Sequence, residues 1–333
     1  MKKDIVVSGV RPTGNIHLGN YFGAIKNFIK MQEEQTCYFF IADYHSLTTH
    51  PNPADLHGNV RQALIEFLAC GINPEKATLY LQSDVPQTAE LYLMLNMNAY
   101  LGELQKVVTF KEKARKQPNN VNAGLLTYPT LMAADILIHQ ANKVPVGKDQ
   151  EQHLEMTRTY ARRFNKLYST DFLPEPTAYN FGENLVKIPG LDGSGKMGKS
   201  EGGNNAIFLN EDPKKMRKKI MRAKTDSGPT EKNSPMSDEV SNLIQLMRVL
   251  SKPEIVQQYV DAYNDCTIRY GDMKKQLAED AIVFTEPFRE KINELSADHD
   301  YISKVVKMGK EKAQESAQKT IKTVREIVGF KPF

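Results

Sequence analysis

Three short apolar runs constrain this chain more than any other feature: Ile5–Val10 (IVVSGV), Cys37–Ala42 (CYFFIA) and Ala77–Gln82 (ATLYLQ). Each is too short for a helix, and helical periodicity fills the gaps between them. Tyr21–Glu34 sets Phe22, Ile25, Phe28, Ile29 and Gln32 at helical spacing, and Asp55–Cys70 reads as a helix stopped by Gly71. Strands that alternate with helices imply crossover connections, and these build a parallel sheet. The expected fold class is α/β. Ligands of such sheets sit beyond the carboxyl ends of the strands, so Val10–Arg11, Asp43–His45 and Gln82–Asp84 should surround one site.

Further along, Glu90–Leu104 reads as one helix and Phe110–Asn120 (FKEKARKQPNN) as a basic, flexible loop. Leu125–Gln140 (LLTYPTLMAADILIHQ) is a helix apolar almost throughout, with Asp135 in its middle. A buried carboxylate is costly unless paired or hydrogen-bonded, and a mid-helix position excludes an N-cap role. Another residue or a ligand donor must therefore satisfy Asp135, and Tyr128, two turns earlier on nearly the same face, favours the ligand. Lys143–Gln150 (KVPVGKDQ) reads as a short strand ending in Gly147, with Asp149 as the candidate cap of a helix running to about Tyr168. Leu185–Ile188 is expected to be another strand.

After Ile207–Leu209 the texture changes. Asp212–Lys224 is a helix dense in Lys and Arg, and Ser227–Ser237 is a loop with two prolines. Helices are expected over Asp238–Leu250, Pro253–Tyr263, Asp272–Leu295 and Asp298–Val328, with Gly329 as the stop. A length of 333 residues allows two domains, and the change of pattern puts their boundary near Ile207–Asp212. The net charge of +4 permits a polyanionic partner without demanding one. Cys37, Cys70 and Cys266 are widely spaced, as in a reduced, cytoplasmic protein. No run is long enough to span a membrane, and the first apolar run is too short for a signal peptide.

Two loops suit phosphate chemistry. In Val6–Tyr21 (VVSGVRPTGNIHLGNY) a strand breaks at Gly and Pro, and His17-Leu18-Gly19-Asn20 falls where a helix should begin. Helix-start amides and the helix dipole favour an anion there, with Thr13 and His17 as side-chain donors. A plain strand-to-helix turn fits the same letters. A second basic, Gly-rich loop, Gly190–Ser200, raises the phosphate reading. Within it GSGKMGKS matches the P-loop pattern letter for letter, but Glu201-Gly202-Gly203-Asn204-Asn205 cannot nucleate the helix that motif requires. What remains is a loop with Lys196 and Lys199 three residues apart, able to close on a polyphosphate.

The pairing of PTGNIHLGN (Pro12–Asn20) with KMGKS (Lys196–Ser200) resembles the HIGH and KMSKS signatures of class I aminoacyl-tRNA synthetases. Further stretches, among them Gly102-Glu103-Leu104, Phe110–Lys113, Ala123–Pro129, Leu131–Leu137, Val144–Gln150 and Thr225-Asp226-Ser227, are similar to the bacterial tryptophanyl branch, and they run along essentially the whole chain. The chain departs from that pattern at Asn20, Gly198, Lys148, Val7 and Arg11.

The resemblance implies a Rossmann-like catalytic domain over 1–208 and a helical, anticodon-binding region over 209–333 whose last helix can pack back on the catalytic domain. It implies ATP with Mg²⁺, L-tryptophan and tRNA(Trp) as ligands, and a homodimer with the Leu91–Leu104 stretch in its interface. Catalytic roles fall to His17, Lys196, Lys199 and Ser200. ATP contacts fall to Arg11, Pro12, Thr13, Gly19, Asn20, Lys113, Gly147, Lys148, Asp149, Lys187, Ile188, Met197 and Gly198, besides Lys196, Lys199 and Ser200. Asp135 would accept the indole N–H; Met132, Val7, Val144 and Val146 would line the indole slot. Tyr128 and Gln150, with His45 nearby, would fix the amino and carboxylate end. A tyrosyl enzyme and a non-catalytic RNA-binding relative are the alternatives.

Overall fold

A computed structural model describes residues 3–147, 150–179, 187–198 and 204–331. Among the described residues five parallel strands form one sheet in the order β3-β2-β1-β4-β5. They are β1 (Ile5–Val10), β2 (Thr36–Ile41), β3 (Ala77–Leu81), β4 (Lys143–Val144) and β5 (Thr177–Ala178). Register runs Val6↔Cys37 and Phe39↔Leu79 on one side, and Val6↔Lys143 on the other. The order reverses direction at β1, so the crevice between β1 and β4 is the topological switch point where α/β sheets bind ligands.

Helices cover both faces. The first begins at α1 (Leu18–Asn20), passes through a π-turn over Tyr21–Ile25 and continues as α2 (Lys26–Glu34). Then come α3 (Asp43–Ser46), α4 (Pro53–Ala69), α5 (Pro86–Asn96), α6 (Leu101–Lys106), α7 (Val108–Lys116), α8 (Ala123–Leu137) and α9 (Glu151–Leu167). The rest comprises α10 (Pro213–Met221), α11 (Asp238–Leu250), α12 (Pro253–Asn264), α13 (Tyr270–Ala297) and α14 (His299–Val328). Among the described residues no helix is long and apolar enough to cross a membrane.

Strand periodicity divides the core. Val6, Phe39 and Leu79 point to one face with α2, α4 and the helices α10–α13, whereas their neighbours Val7, Phe40 and Tyr80 point to the other with α5, α8 and α9. Helix α14 serves both faces. Its Ile302 and Val305 join the first cluster, and its Ala313, Ala317, Ile321 and Val324 join the second. It therefore crosses the edge strand β3 and covers it, which removes a free sheet edge.

Several expectations need correction. Glu90–Leu104 is two helices, α5 and α6, with a break at Met97–Tyr100; Asn96 and Asn98 are weak helix formers there. Most of Phe110–Asn120 is helical, with α7 followed by a 3₁₀ turn over Pro118–Asn120, because KEKARK is made of strong helix formers. The first helix starts at Leu18 rather than Tyr21. Asp135 lies in the last turn of α8, not its middle. The fifth strand is Thr177–Ala178; Lys187 and Ile188 are in no strand, and the rest of the expected Leu185–Ile188 strand is outside the described residues. Lys148, Asp149, Lys199 and Ser200 are also outside them.

Candidate active site

A cavity of about 290 Å³ opens beyond the carboxyl ends of β1 and β4. It is lined by Val7 and Arg11 from β1 and the residues after it, His45 from α3, Lys113 from α7, and Tyr128, Met132 and Asp135 from α8. Val144, Val146 and Gln150 close the β4 side. All eight residues expected around an indole ligand are in this one cavity, as are Arg11 and Lys113 from the ATP set.

Asp135 is 2% exposed, and both its oxygens are engaged. Gln82 Nε2 donates to Oδ1 at 2.7 Å and His45 Nε2 lies 2.9 Å from Oδ2. Burial pushes the Asp135 carboxyl above its usual range, and the bonds from His45 and Gln82 oppose that rise. His45, expected near the amino and carboxylate end, lines the same cavity as Tyr128 and Gln150 and is held on Asp135. Its ring lies close enough to accept that role because α3 follows β2 directly. Gln82, the first residue after β3, lies where the strand-end rule puts it, and its bond to Asp135 is what that rule does not give.

Two cations line the same cavity. Lys113 Nζ sits 3.8 Å from the centroid of the Tyr128 ring. Burial, with Arg11 nearby, pushes the Lys113 amine down to about 8. Burial also lowers the Arg11 guanidinium, whose Nε has no hydrogen-bond partner among the described residues. Fixed positive charge of this kind invites an anion.

The first loop is built rigidly. His17 is the N-cap of α1: its Nδ1 accepts the Asn20 N–H at 3.2 Å, and Asn20 Oδ1 accepts the His17 N–H at 3.3 Å. Asn20 is therefore the reciprocal half of a capping box. Its backbone N–H is held by His17. With Nδ1 accepting, the ring proton of His17 resides on Nε2. Fully buried Glu66 accepts the Ile16 N–H at 2.5 Å and fixes the approach to the cap.

The two signature loops meet. His17 pairs with Phe208 in an antiparallel bridge, with Leu18 N–H to Ile207 O at 2.9 Å and Leu209 N–H to Ile16 O at 2.9 Å. Met197 is buried and donates its backbone N–H to Ile188 O at 2.7 Å. A Cβ on Gly19 would come within 2.9 Å of the His17 ring and 3.4 Å of Met197 Cβ, so glycine lets the loops close together. Pro12 and Ile188 are buried, Thr13, Lys187 and Lys196 are exposed, and Gly147 and Gly198 are half-buried; none of these lines the cavity. Asn204–Asn205 form a turn, and among the described residues the next helix is α10; Glu201, Gly202 and Gly203 lie outside them.

The chain belongs to the class I tRNA synthetases of the W and Y group, whose family model matches residues 2–286. Within that group it is 61% identical to a tryptophan–tRNA ligase of Porphyromonas gingivalis, over 98% of this chain and 100% of the relative. It is 39% identical to a tryptophan–tRNA ligase of Clostridium perfringens, over 99% of each chain. The structure is similar to that of the tryptophanyl-tRNA synthetase of Campylobacter jejuni complexed with ADP and tryptophan, with a TM-score of 0.86 at 34% identity, over 98% of this chain and 99% of that one.

Proposed function

We propose that the chain is a tryptophan–tRNA ligase that first activates L-tryptophan with ATP and then transfers it to the terminal ribose of tRNA(Trp). The observation that carries this reading is a buried carboxylate, Asp135, in a mainly apolar cavity that Arg11 and Lys113 also line. Asp135 accepts the indole N–H, and Met132, Val7, Val144 and Val146 pack the rings. A slot built around a buried acceptor rejects phenylalanine, which leaves that acceptor unpaired. The tyrosyl alternative is disfavoured by the names of both relatives described above. Retention of His17, Lys196, Lys199 and Ser200 disfavours a non-catalytic relative.

The tryptophan carboxylate attacks the α-phosphorus of ATP, and pyrophosphate leaves. Such a reaction needs positioning and charge neutralisation more than covalent help from the protein. His17 Nε2–H, Thr13 and the Gly19 amide hold phosphate oxygens. Lys196 and Lys199 meet the charge that builds on the leaving pyrophosphate. Mg²⁺ accompanies ATP, held by phosphate oxygens and water. Residues 209–333 contain the anticodon-binding region. The homodimer uses the side of α5 and α6 where Leu93, Met97, Tyr100 and Leu101 are exposed. The cytoplasm is the expected compartment.

ATP–pyrophosphate exchange with each of the twenty amino acids, without tRNA, tests the reading. Exchange with tryptophan alone supports it, and exchange with tyrosine overturns the substrate. Lys199→Ala should lower kcat of exchange by about a hundredfold or more while moving the KM for tryptophan by less than about threefold, because its contact strengthens in the transition state. A change confined to KM would remove Lys199 from that role.

Lys113 predicts a pH dependence. Its amine in the free protein titrates near 8, against an ordinary value of 10.5. Bound triphosphate requires the charged form, so the KM for ATP should stay flat below about pH 8 and rise above it, approaching tenfold per pH unit. Stability runs the other way. A depressed lysine pKa means that the unfolded chain binds more protons between about 8 and 10.5, so this group's contribution to stability improves as pH rises through that window. Lys113→Arg keeps its charge and should flatten the ATP profile. An identical slope in both proteins would count against the assignment.

A further inference from the structure

Behind the cavity wall lies a histidine that neither signature loop contains. His153, in the first turn of α9, is 1% exposed. Its Nε2 is 2.7 Å from Tyr128 Oη and 3.0 Å from Thr109 Oγ1, and its Nδ1 is 3.0 Å from Gln150 Oε1. Thr109 Oγ1 also bonds to Tyr128 Oη. Thus one buried ring touches both groups proposed above to hold the amino and carboxylate end of the amino acid.

Hydrogen-bond roles follow from these partners. Gln150 Oε1 can only accept, so His153 Nδ1 carries the proton and donates it. Its Nε2 then has one lone pair and takes one hydroxyl proton. Tyr128 is the nearer donor, which turns the Thr109 O–H onto the Tyr128 oxygen. That oxygen, donating inward and accepting from Thr109, meets the cavity as an acceptor. Gln150, with Oε1 held inward, meets the cavity with its NH₂ as the donating end. An acceptor and a donor fixed side by side match the ammonium and carboxylate of a zwitterionic amino acid.

We propose that His153 is a positioning residue: neutral and protonated on Nδ1, it locks Tyr128 as the acceptor for the substrate ammonium and Gln150 as the donor to the substrate carboxylate. This inference rests on the amino-acid-activating function proposed above. His153 belongs to neither signature loop and does not line the cavity, so its replacement should cost recognition of the zwitterion alone.

The test is exchange kinetics of the full chain with tryptophan, together with inhibition by indole, which lacks both charged groups. His153→Leu should raise the KM for tryptophan about tenfold to a hundredfold, with the KM for ATP and the inhibition constant of indole within about twofold. His153→Gln offers one donor and one acceptor and should recover most of the loss. In a Tyr128→Phe background the phenol is gone, so His153→Leu should cost less than it does in the wild type. Unchanged tryptophan KM overturns the proposal, as does full additivity with Tyr128→Phe. Indole binding that weakens as much as tryptophan binding would reduce His153 to a packing role and also overturn it. Should His153→Leu not fold, Thr109→Val carries the test: it frees Tyr128 with His153 in place, and an unaltered tryptophan KM is then the overturning result. Wild-type protein that exchanges with no amino acid fails the functional reading instead, which separates the two failures.

Discussion

Asp135→Asn should lower kcat/KM for tryptophan by about a hundredfold or more, close to 3 kcal/mol, while the KM for ATP stays within about twofold. The count of acceptors gives the reason. Gln82 and His45 already donate to the two carboxylate oxygens, and the indole N–H makes a third donor. An ionised carboxylate has about four acceptor positions, whereas an asparagine carbonyl has two. The amide NH₂ of the variant must face one of the former donors, and His45 can accommodate it only by moving its ring proton to Nδ1. The indole then meets a neutral acceptor at best, or none. The fold should not suffer. Burial raises the Asp135 carboxyl in the folded state, so the folded chain binds more protons there than the unfolded chain, and its contribution to stability falls as pH rises through that window. At neutral pH the charge is a cost to the fold, and the asparagine variant should melt at an equal or higher temperature. The chain contains no tryptophan, so the ligand's own fluorescence reports its binding without background. Wild-type affinity should weaken on acidification from a pH above the ordinary aspartate range, and the variant should show no such slope. Equal tryptophan affinity in the two proteins would remove Asp135 from the indole site.

How much of this was readable beforehand depends on the kind of signal each residue gives. Strands β1, β2 and β3 announce themselves because each is a mainly apolar run, too short for a helix, that sends buried side chains to both faces of the sheet. Strands β4 and β5 have two residues each, too few to carry a period. Asp135 was legible because a carboxylate among apolar helical positions needs an explanation. Helix α7 is hidden by its charge run, which reads as a solvated loop although KEKARK is made of strong helix formers. The strand-end rule places Gln82 near the site but not on Asp135, and Thr109 and His153 give no local signal at all. Each is an ordinary polar letter whose meaning comes from what the fold sets beside it, and in each case the neighbour is more than nineteen residues away or sits on another element. The same holds for Asn20, whose departure from the second histidine of the signature is understood only once its side chain is seen to cap His17.

Gly309→Ala should destabilise the protein by about 2 kcal/mol or more, lowering Tm by about 3 °C or more. The glycine lies where α14 crosses the edge strand, between the part of the helix that packs on one face of the sheet and the part that packs on the other. A Cβ there would stand 1.8 Å from the Leu79 carbonyl oxygen and 2.8 Å from its carbon. Both are backbone atoms of β3, so no side chain can rotate away, and either the helix or the strand must move. Alanine gains up to about 1 kcal/mol of helix propensity over glycine, which opposes the clash without cancelling it. Gly271→Ala is the control: it lies in α13 with open space around its Cβ and should leave Tm unchanged or slightly raised. The consequence reaches the site. Leu79 is three residues before Gln82, and Gln82 holds one oxygen of Asp135 at 2.7 Å. A helix that pushes β3 aside pulls that donor away, so the KM for tryptophan should rise along with the loss of Tm, while Lys113 and Arg11, on other elements, keep the KM for ATP. A stable Gly309→Ala protein with wild-type tryptophan kinetics would mean that α14 covers the sheet edge without bearing on the site.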